Sequence, residues 1–148
     1  MFLFDTDHLV ILQRQSTDIC QTLLARIGAY SPQEFLVSIV SFQEQVAGWL
    51  AYLGRKREPK QVVHAYQQFG RLLSEYATAQ IAEFDEPAAK RFDGRRRQRV
   101  RIGTMDLRIA SIALAGDHTV LTRNIVDFEK VPGLKVEDWT VAAPEKPR

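Results

Sequence analysis

Four acidic residues, Asp5, Glu44, Asp106 and Asp127, each stand just after or beside a short apolar run in a chain of 148 residues. If those runs align as strands of one parallel sheet, the acids converge outside the carboxyl ends of the strands, where ligands collect. Grouped carboxylates bind divalent metal. Oxygen donors suit Mg²⁺ and Mn²⁺, and two such ions can drive in-line attack of water on a phosphodiester. Residue types in this pattern point to nuclease chemistry.

Each acid also has an ordinary structural role open to it. Asp5, alone or with Asp7, can cap the helix that follows it. Ser41-Phe42-Gln43-Glu44 matches a capping box, in which Glu44 would bond the N-cap amide. Asp106 falls in the first turn of a helix, where the helix dipole favours a carboxylate whatever its role. Asp127 follows the polar stretch Thr122-Arg123-Asn124 and reads alone as a solvated turn acid. Only their joint placement favours a site.

The elements that must position these acids follow from period and punctuation. Phe2 to Phe4 reads as a short buried strand ending at Asp5, and Leu9 and Leu12 open a helical pattern. Ile19, Leu23, Leu24 and Ile27 continue at helical spacing and stop at Gly28. Phe35 to Val40 is the second strand, and a helix begins at Ser41, with Val46, Trp49, Leu50 and Leu53 on one side. It ends near Gly54. After a polar connection at 55–59, residues 60–79 form a long helix. Ile81 to Phe84 is a third strand, and Pro87 starts a helix that breaks at Gly94. Gly103 precedes a helix carrying Leu107, Ile109, Ile112, Ala113 and Leu114. His118 to Thr122 is the fourth strand, a turn or short helix surrounds Asp127, and Leu134 to Val136 is the last short strand. Strands alternating with helices predict an α/β fold: a three-layer α/β/α sandwich with a central parallel sheet of about five strands. The expected organisation is one domain over residues 1–141 and a flexible tail over 142–148.

Composition sets the remaining bounds. With 45% hydrophobic and 26% charged residues, the chain is that of a globular protein, long enough to bury roughly two thirds of its unfolded surface. The lone Cys20 forms no internal disulfide and fits a reducing compartment. A charge at the fifth residue and no basic leader argue against a signal peptide, and no apolar run approaches the roughly 18 residues of a membrane span. A cytoplasmic protein is the expectation.

The formal net charge of +2 is unevenly spread. Residues 86–102 hold seven bases against two acids, a local +5 on a body that is otherwise −3. A dense basic tract is the footprint of a phosphate-backbone binder, and it also suits a solvated helix face or an acidic protein partner. Arg95, Arg96, Arg97 and Arg99 are its candidate RNA contacts, holding backbone without reading bases.

Leu3-Phe4-Asp5-Thr6-Asp7 resembles the first motif of PIN-domain proteins, and Ser38-Ile39-Val40-Ser41-Phe42-Gln43-Glu44 the second. Gly103-Thr104-Met105-Asp106-Leu107-Arg108-Ile109-Ala110 is similar to the third, and Leu121-Thr122-Arg123-Asn124-Ile125-Val126-Asp127-Phe128 to the fourth. The closing Val131-Pro132-Gly133-Leu134 and Val136-Glu137-Asp138-Trp139 resemble the tail of the VapC-type toxin branch. One departure stands out: many relatives carry Asn where this chain has Asp7. The resemblance implies a Mg²⁺- or Mn²⁺-dependent endoribonuclease, the toxin of a type II toxin–antitoxin pair. Asp5 and Asp106 would bind one metal directly, with Glu44 and Asp127 completing its shell or holding a second ion. Asp7, Thr122 and Asn124 would support the site as polar neighbours. It further implies a cognate antitoxin, which would lay an amphipathic segment across an apolar groove, and a homodimer, with no membrane involvement.

Two other readings remain open at this level. A PIN-like module can bind RNA or partners without cutting. Asp5-Thr6-Asp7 also resembles the first motif of haloacid-dehalogenase-type phosphatases, although no paired acidic motif follows a late strand. Among the histidines, His64 and His118 lack ligand spacing, and His8 is expected to diverge from its neighbours in sequence on the helix.

Overall fold

The computed structural model describes residues 1–15, 17–55 and 58–144. Five short strands form one sheet: β1 (Phe2–Phe4), β2 (Phe35–Ser38), β3 (Ile81–Ala82), β4 (Thr119–Leu121) and β5 (Lys135–Glu137). Their spatial order is β3-β2-β1-β4-β5 and every pairing is parallel, with Phe4 opposite both Val37 and Leu121. Parallel neighbours need long crossovers, and helices supply them: α1 (Thr6–Arg14), α2 (Asp18–Ile27), α3 (Ile39–Leu53), α4 (Pro59–Thr78), α5 (Glu86–Arg97), α6 (Thr104–Gly116) and the single-turn α7 (Ile125–Phe128).

Alternation along the strands divides the core into two layers. Phe2, Phe4, Phe35, Val37 and Leu121 face α1 and α2, meeting Leu9, Leu23 and the buried Trp139. Leu3, Leu36 and Val120 face the other way, onto Val40 of α3, Ala88 of α5, Leu107 and Ile109 of α6 and Phe128 of α7. α4 packs along α3, away from the sheet. The three-layer α/β/α sandwich with a five-stranded parallel sheet is therefore what forms.

Boundaries differ from the sequence expectation at places that matter. β2 stops at Ser38 and α3 begins at Ile39, because the Ser38 side chain caps that helix by accepting from Val40 N at 2.9 Å. The helix starts two residues before the expected Ser41, so Ser41 and Glu44 lie inside it and the expected capping box does not form. α5 runs unbroken through Gly94, whose Cα faces open space; the break expected there is absent. β3 is only two residues, β4 lacks His118 and Thr122, and β5 is shifted one residue beyond the expected strand. Trp49, Tyr52 and Leu53 are half-buried and do not join the core. Gly133, at φ 80°, supplies the left-handed turn before β5. Part of the connection expected at 55–59 and the end of the tail expected at 142–148 lie outside the described residues. Among the described residues, no helix is long and apolar enough to cross a membrane, and Cys20 is a buried free thiol.

Candidate active site

The strand order reverses direction between β1 and β4, and a ligand crevice opens outside the carboxyl ends of strands at such a switch point. Asp5 follows β1 and Thr122 follows β4. The Asp5 carboxylate, 6% exposed, accepts from Thr6 N at 2.8 Å through Oδ1 and from Thr122 Oγ1 at 2.8 Å through Oδ2. Asp5 thus caps α1 and also joins the two strands that define the crevice. Thr122 is fully buried, and its Oγ1 in turn accepts from Asn124 N at 3.0 Å.

Glu44 reaches the crevice from α3. Thr6 Oγ1 donates to Glu44 Oε1 at 2.9 Å and lies 3.0 Å from Ser41 Oγ, so α1 and α3 are stitched together where both present acids. Asp106 arrives from the first turn of α6. Asp127 sits on α7, with Oδ2 accepting from Asn124 Nδ2 at 3.0 Å and Oδ1 from Lys130 Nζ at 2.8 Å. Asp7 accepts from Arg123 N at 2.8 Å through Oδ2 and lies 2.8 Å from His8 Nδ1 through Oδ1.

These acids feel one another. Burial, then the charges of Asp7 and Asp106, push the Asp5 carboxyl up to about 7, against the lowering effect of its bonds from Thr122 and Thr6. Burial also raises Asp106, followed by the charges of Glu44, Asp127 and Asp7. Asp127 is held below the usual carboxylate range by Lys130 and Asn124. Burial works to raise Asp7, but the bonds from His8 and the Arg123 amide overcome it and leave its carboxyl below the ordinary value.

Among the described residues, no three His, Cys, Asp or Glu side chains already stand together as a coordination set. Donor chemistry nonetheless fits a hard divalent cation: all the candidate ligands are carboxylates, and at Asp5 and Asp106 burial and neighbouring acids disfavour the ionised form that a cation would stabilise. Asp127 differs, since Lys130 already neutralises it.

The basic tract divides as well. Arg95 donates to Pro132 O and to Gln98 Oε1, both at 2.8 Å, so its guanidinium fastens α5 to the turn before β5. Arg96 stacks over Phe92 at 5.6 Å. Arg97 ends α5, and Arg99 follows with φ 56° on the short path to Asp106.

Sequence reasoning missed His8, which is fully buried and bonded rather than diverging from Asp7, and Lys130, which occupies the Asp127 carboxylate. The spacing of Lys130 three residues after Asp127 was a signal for a helical ion pair. No local signal existed for His8, because its second partner is Trp139, 131 positions away.

No protein-family model matches the chain. A curated sequence, Ribonuclease VapC2 of Rickettsia felis, is 47% identical over 38 residues, which is 26% of this chain and 28% of that protein. Solved structures match over nearly the full length. VapBC2 from Rickettsia felis, bound to a DNA fragment from its promoter, contains a chain that superposes with a TM-score of 0.69 at 22% identity, covering 93% of this chain and 98% of that one. FitAcB from Neisseria gonorrhoeae gives 0.70 at 20% identity, covering 94% and 98%. VapBC-1 from nontypeable Haemophilus influenzae gives 0.67 at 20%, covering 95% and 98%. By fold along almost its whole length, and by sequence over the short matched stretch, this chain is similar to VapC-type PIN-domain proteins.

Proposed function

We propose that this chain is a divalent-metal-dependent endoribonuclease and the toxin of a toxin–antitoxin pair. The observation that carries this reading is the β1/β4 switch point, where Asp5 is buried, bonded to Thr122 and pushed up to about 7 among other acids. A buried carboxylate surrounded by like charge is unfavourable until a cation arrives, which suits a metal site better than a structural cap. The likeness to a VapC ribonuclease supports the same reading.

Asp5 and Asp106 would hold Mg²⁺ or Mn²⁺, with Glu44 and Asp127 at the margin of the site. A divalent cation there supplies Lewis-acid stabilisation of phosphoryl charge and a more acidic bound water. Thr122 orients Asp5, and Asn124 orients Asp127. Arg96 and Arg97, in the last turn of α5, and Arg99 just after it would hold the RNA backbone. The products expected are a 5′-phosphate and a 3′-hydroxyl.

The partner side of the proposal rests on a groove between α1, α3 and α4. Glu44 lies at one end beside Thr6, Arg14 and Arg71 also line it, and Val10, Trp49, Tyr52 and Leu72 supply apolar wall. An amphipathic antitoxin segment fits such a groove, with a basic residue reaching the acids. VapBC complexes among the structural relatives support an antitoxin. Ile39 and Leu50, exposed on the outer side of α3, favour a homodimer, and the free buried thiol is in keeping with a cytoplasmic protein.

The test is incubation of the purified chain with a structured-RNA pool, with and without Mg²⁺ or Mn²⁺, beside an Asp5→Asn variant shown to be folded. Cleavage that needs metal and disappears in the variant is the expected result. RNA binding without cleavage, in the wild type, would instead identify a non-cutting PIN-like module.

A further inference from the structure

Asp7 and His8 open α1 side by side, and both are drawn inward. Side chains on successive helical positions point about 100° apart, yet Asp7 Oδ1 is 2.8 Å from His8 Nδ1. The opposite ring nitrogen, Nε2, lies 3.3 Å from Trp139 N. A backbone amide only donates, so Nε2 presents its lone pair and the ring proton resides on Nδ1, directed at Asp7. Asp138 Oδ1, 3.8 Å from Nε2, is beyond hydrogen-bond reach and already accepts from Thr140 N and Oγ1. Both ring nitrogens of His8 are thus engaged, Nδ1 with Asp7 and Nε2 with the Trp139 amide.

The second Asp7 oxygen accepts from Arg123 N at 2.8 Å and lies 3.3 Å from Thr122 Oγ1. The two close partners of Asp7, His8 Nδ1 and Arg123 N, are donors, one to each oxygen, while the single Thr122 hydroxyl proton is given to Asp5. A carboxylate accepts at both oxygens, whereas an amide would have to turn its NH₂ toward one of those donors.

We propose that Asp7 is a positioning residue and not a further metal ligand: gripped by His8, it pins the Thr122–Arg123 connection to α1 and so holds Thr122 Oγ1 on Asp5. The grip extends to the segment after β5. Trp139 is wedged against Phe2 and Tyr30, with ring centroids 4.7 and 5.2 Å away, and Arg26 lies over it at 4.8 Å while donating to Asp138 O at 2.9 Å. A continuous set of bonds therefore runs from the segment after β5 through His8 and Asp7 to the two residues that span the switch point.

The activity arm of the test rests on the nuclease reading above. His8→Asn keeps a donor near the Nδ1 position and gives up the acceptor for Trp139 N. His8→Gln keeps an acceptor near the Nε2 position and gives up the donor to Asp7. Asp7→Asn and His8→Gln should lower kcat for metal-dependent RNA cleavage by about 10-fold to 100-fold with little change in KM, the usual loss when a ligand's supporting partner is removed. His8→Asn should stay within about threefold of wild type, and Asp7→Asn should lose Mn²⁺ affinity by no more than about 100-fold, the range for a supporting partner. Equal losses in His8→Asn and His8→Gln would reduce the pair to plain core packing. A fall in Mn²⁺ affinity in Asp7→Asn alone well beyond about 100-fold, more than the loss of a supporting partner, would make Asp7 a ligand and overturn the proposal.

Imidazole ¹⁵N spectra of the wild type give a second readout that needs no catalysis. Nδ1 should resonate as the protonated nitrogen and Nε2 as the bare one, and the Arg123 amide should lose exchange protection in Asp7→Asn. A ring protonated on Nε2, or an Arg123 amide unaffected by the substitution, overturns the proposal. If wild type cleaves no RNA while these two spectral results hold, the nuclease reading fails and the positioning role stands.

Discussion

Asp5 and Asp127 border the same crevice, but the fold treats them differently. Asp5 is 6% exposed, takes its hydrogen bonds from neutral donors, and is pushed up to about 7 by burial and by the charges of Asp7 and Asp106. Asp127 sits on an exposed single turn of helix, salt-bridged to Lys130 at 2.8 Å and bonded to Asn124, and is held low. Negative charge that the protein itself neutralises makes little demand for a ligand. Negative charge buried without a cation makes a strong one. On the proposed reading, a metal would matter most at the inner end, and at the outer end substrate or a second ion would have to compete with Lys130.

The largest expected effect comes from removing the inner acid. Asp5→Asn should abolish metal-dependent RNA cleavage, a loss on the order of 100-fold to 10,000-fold, corresponding to the several kcal/mol a Lewis acid supplies. Asp127→Asn should lose much less, and equal losses in the two variants would erase the distinction between the two ends.

Stability should respond in the opposite sense. The folded Asp5 carboxyl is raised from 3.8 to about 7, so its favourable contribution is full below pH 3.8 and is lost as pH rises through about 7. In metal-free protein, Asp5→Asn should therefore become more stable than wild type across that window, by roughly 2–4 kcal/mol at pH 8. Mn²⁺ should raise the wild-type Tm at pH 8 and leave the variant's nearly unchanged. Thermal melts from pH 4 to pH 8 with and without metal check both points, and a pH-independent gap would count against an uncompensated Asp5.

Next in size is the basic flank. Replacing Arg96, Arg97 and Arg99 together by Ala should weaken RNA binding and reduce the salt slope by about 0.7 for each phosphate that is no longer neutralised. Arg95→Ala should act mainly on stability, since its guanidinium holds the Pro132 carbonyl. Binding measured across a salt series separates the two, and an unchanged slope in the triple variant would leave the tract without a role in holding RNA.

The smallest effect is a gain. Gly94 lies inside α5 facing open space, so Gly94→Ala should stabilise by about 0.5–1 kcal/mol without altering cleavage. A loss of stability would mean that the sequence expectation of a break at this glycine was right for the protein in solution.

Apolar runs alternating with helical periods were enough to read the sheet, its parallel sense and its layers, because hydrophobic period reports directly which way side chains face. Asp5, just after β1, and Asp106, in the first turn of α6, were legible for the same reason: each falls near an element boundary in the sequence and in the fold. Partnerships across the fold were not. Ser41 and Glu44 satisfy the spacing of a capping box, but Ser38 caps α3 instead, and Glu44 accepts from Thr6 on another helix. His8 stands on a helix as one more residue beside Asp7, until β5 brings the Trp139 amide to its second nitrogen. Arg95 and Arg96 are indistinguishable by composition, yet only the turn at Pro132 ties up the first. Local sequence thus determined where each acid and base stands along its own element, through propensity and period. Which charge stays uncompensated, and which is spent on a structural bond, was decided only when distant strands and helices met, because burial and hydrogen bonding depend on partners that chain order does not reveal.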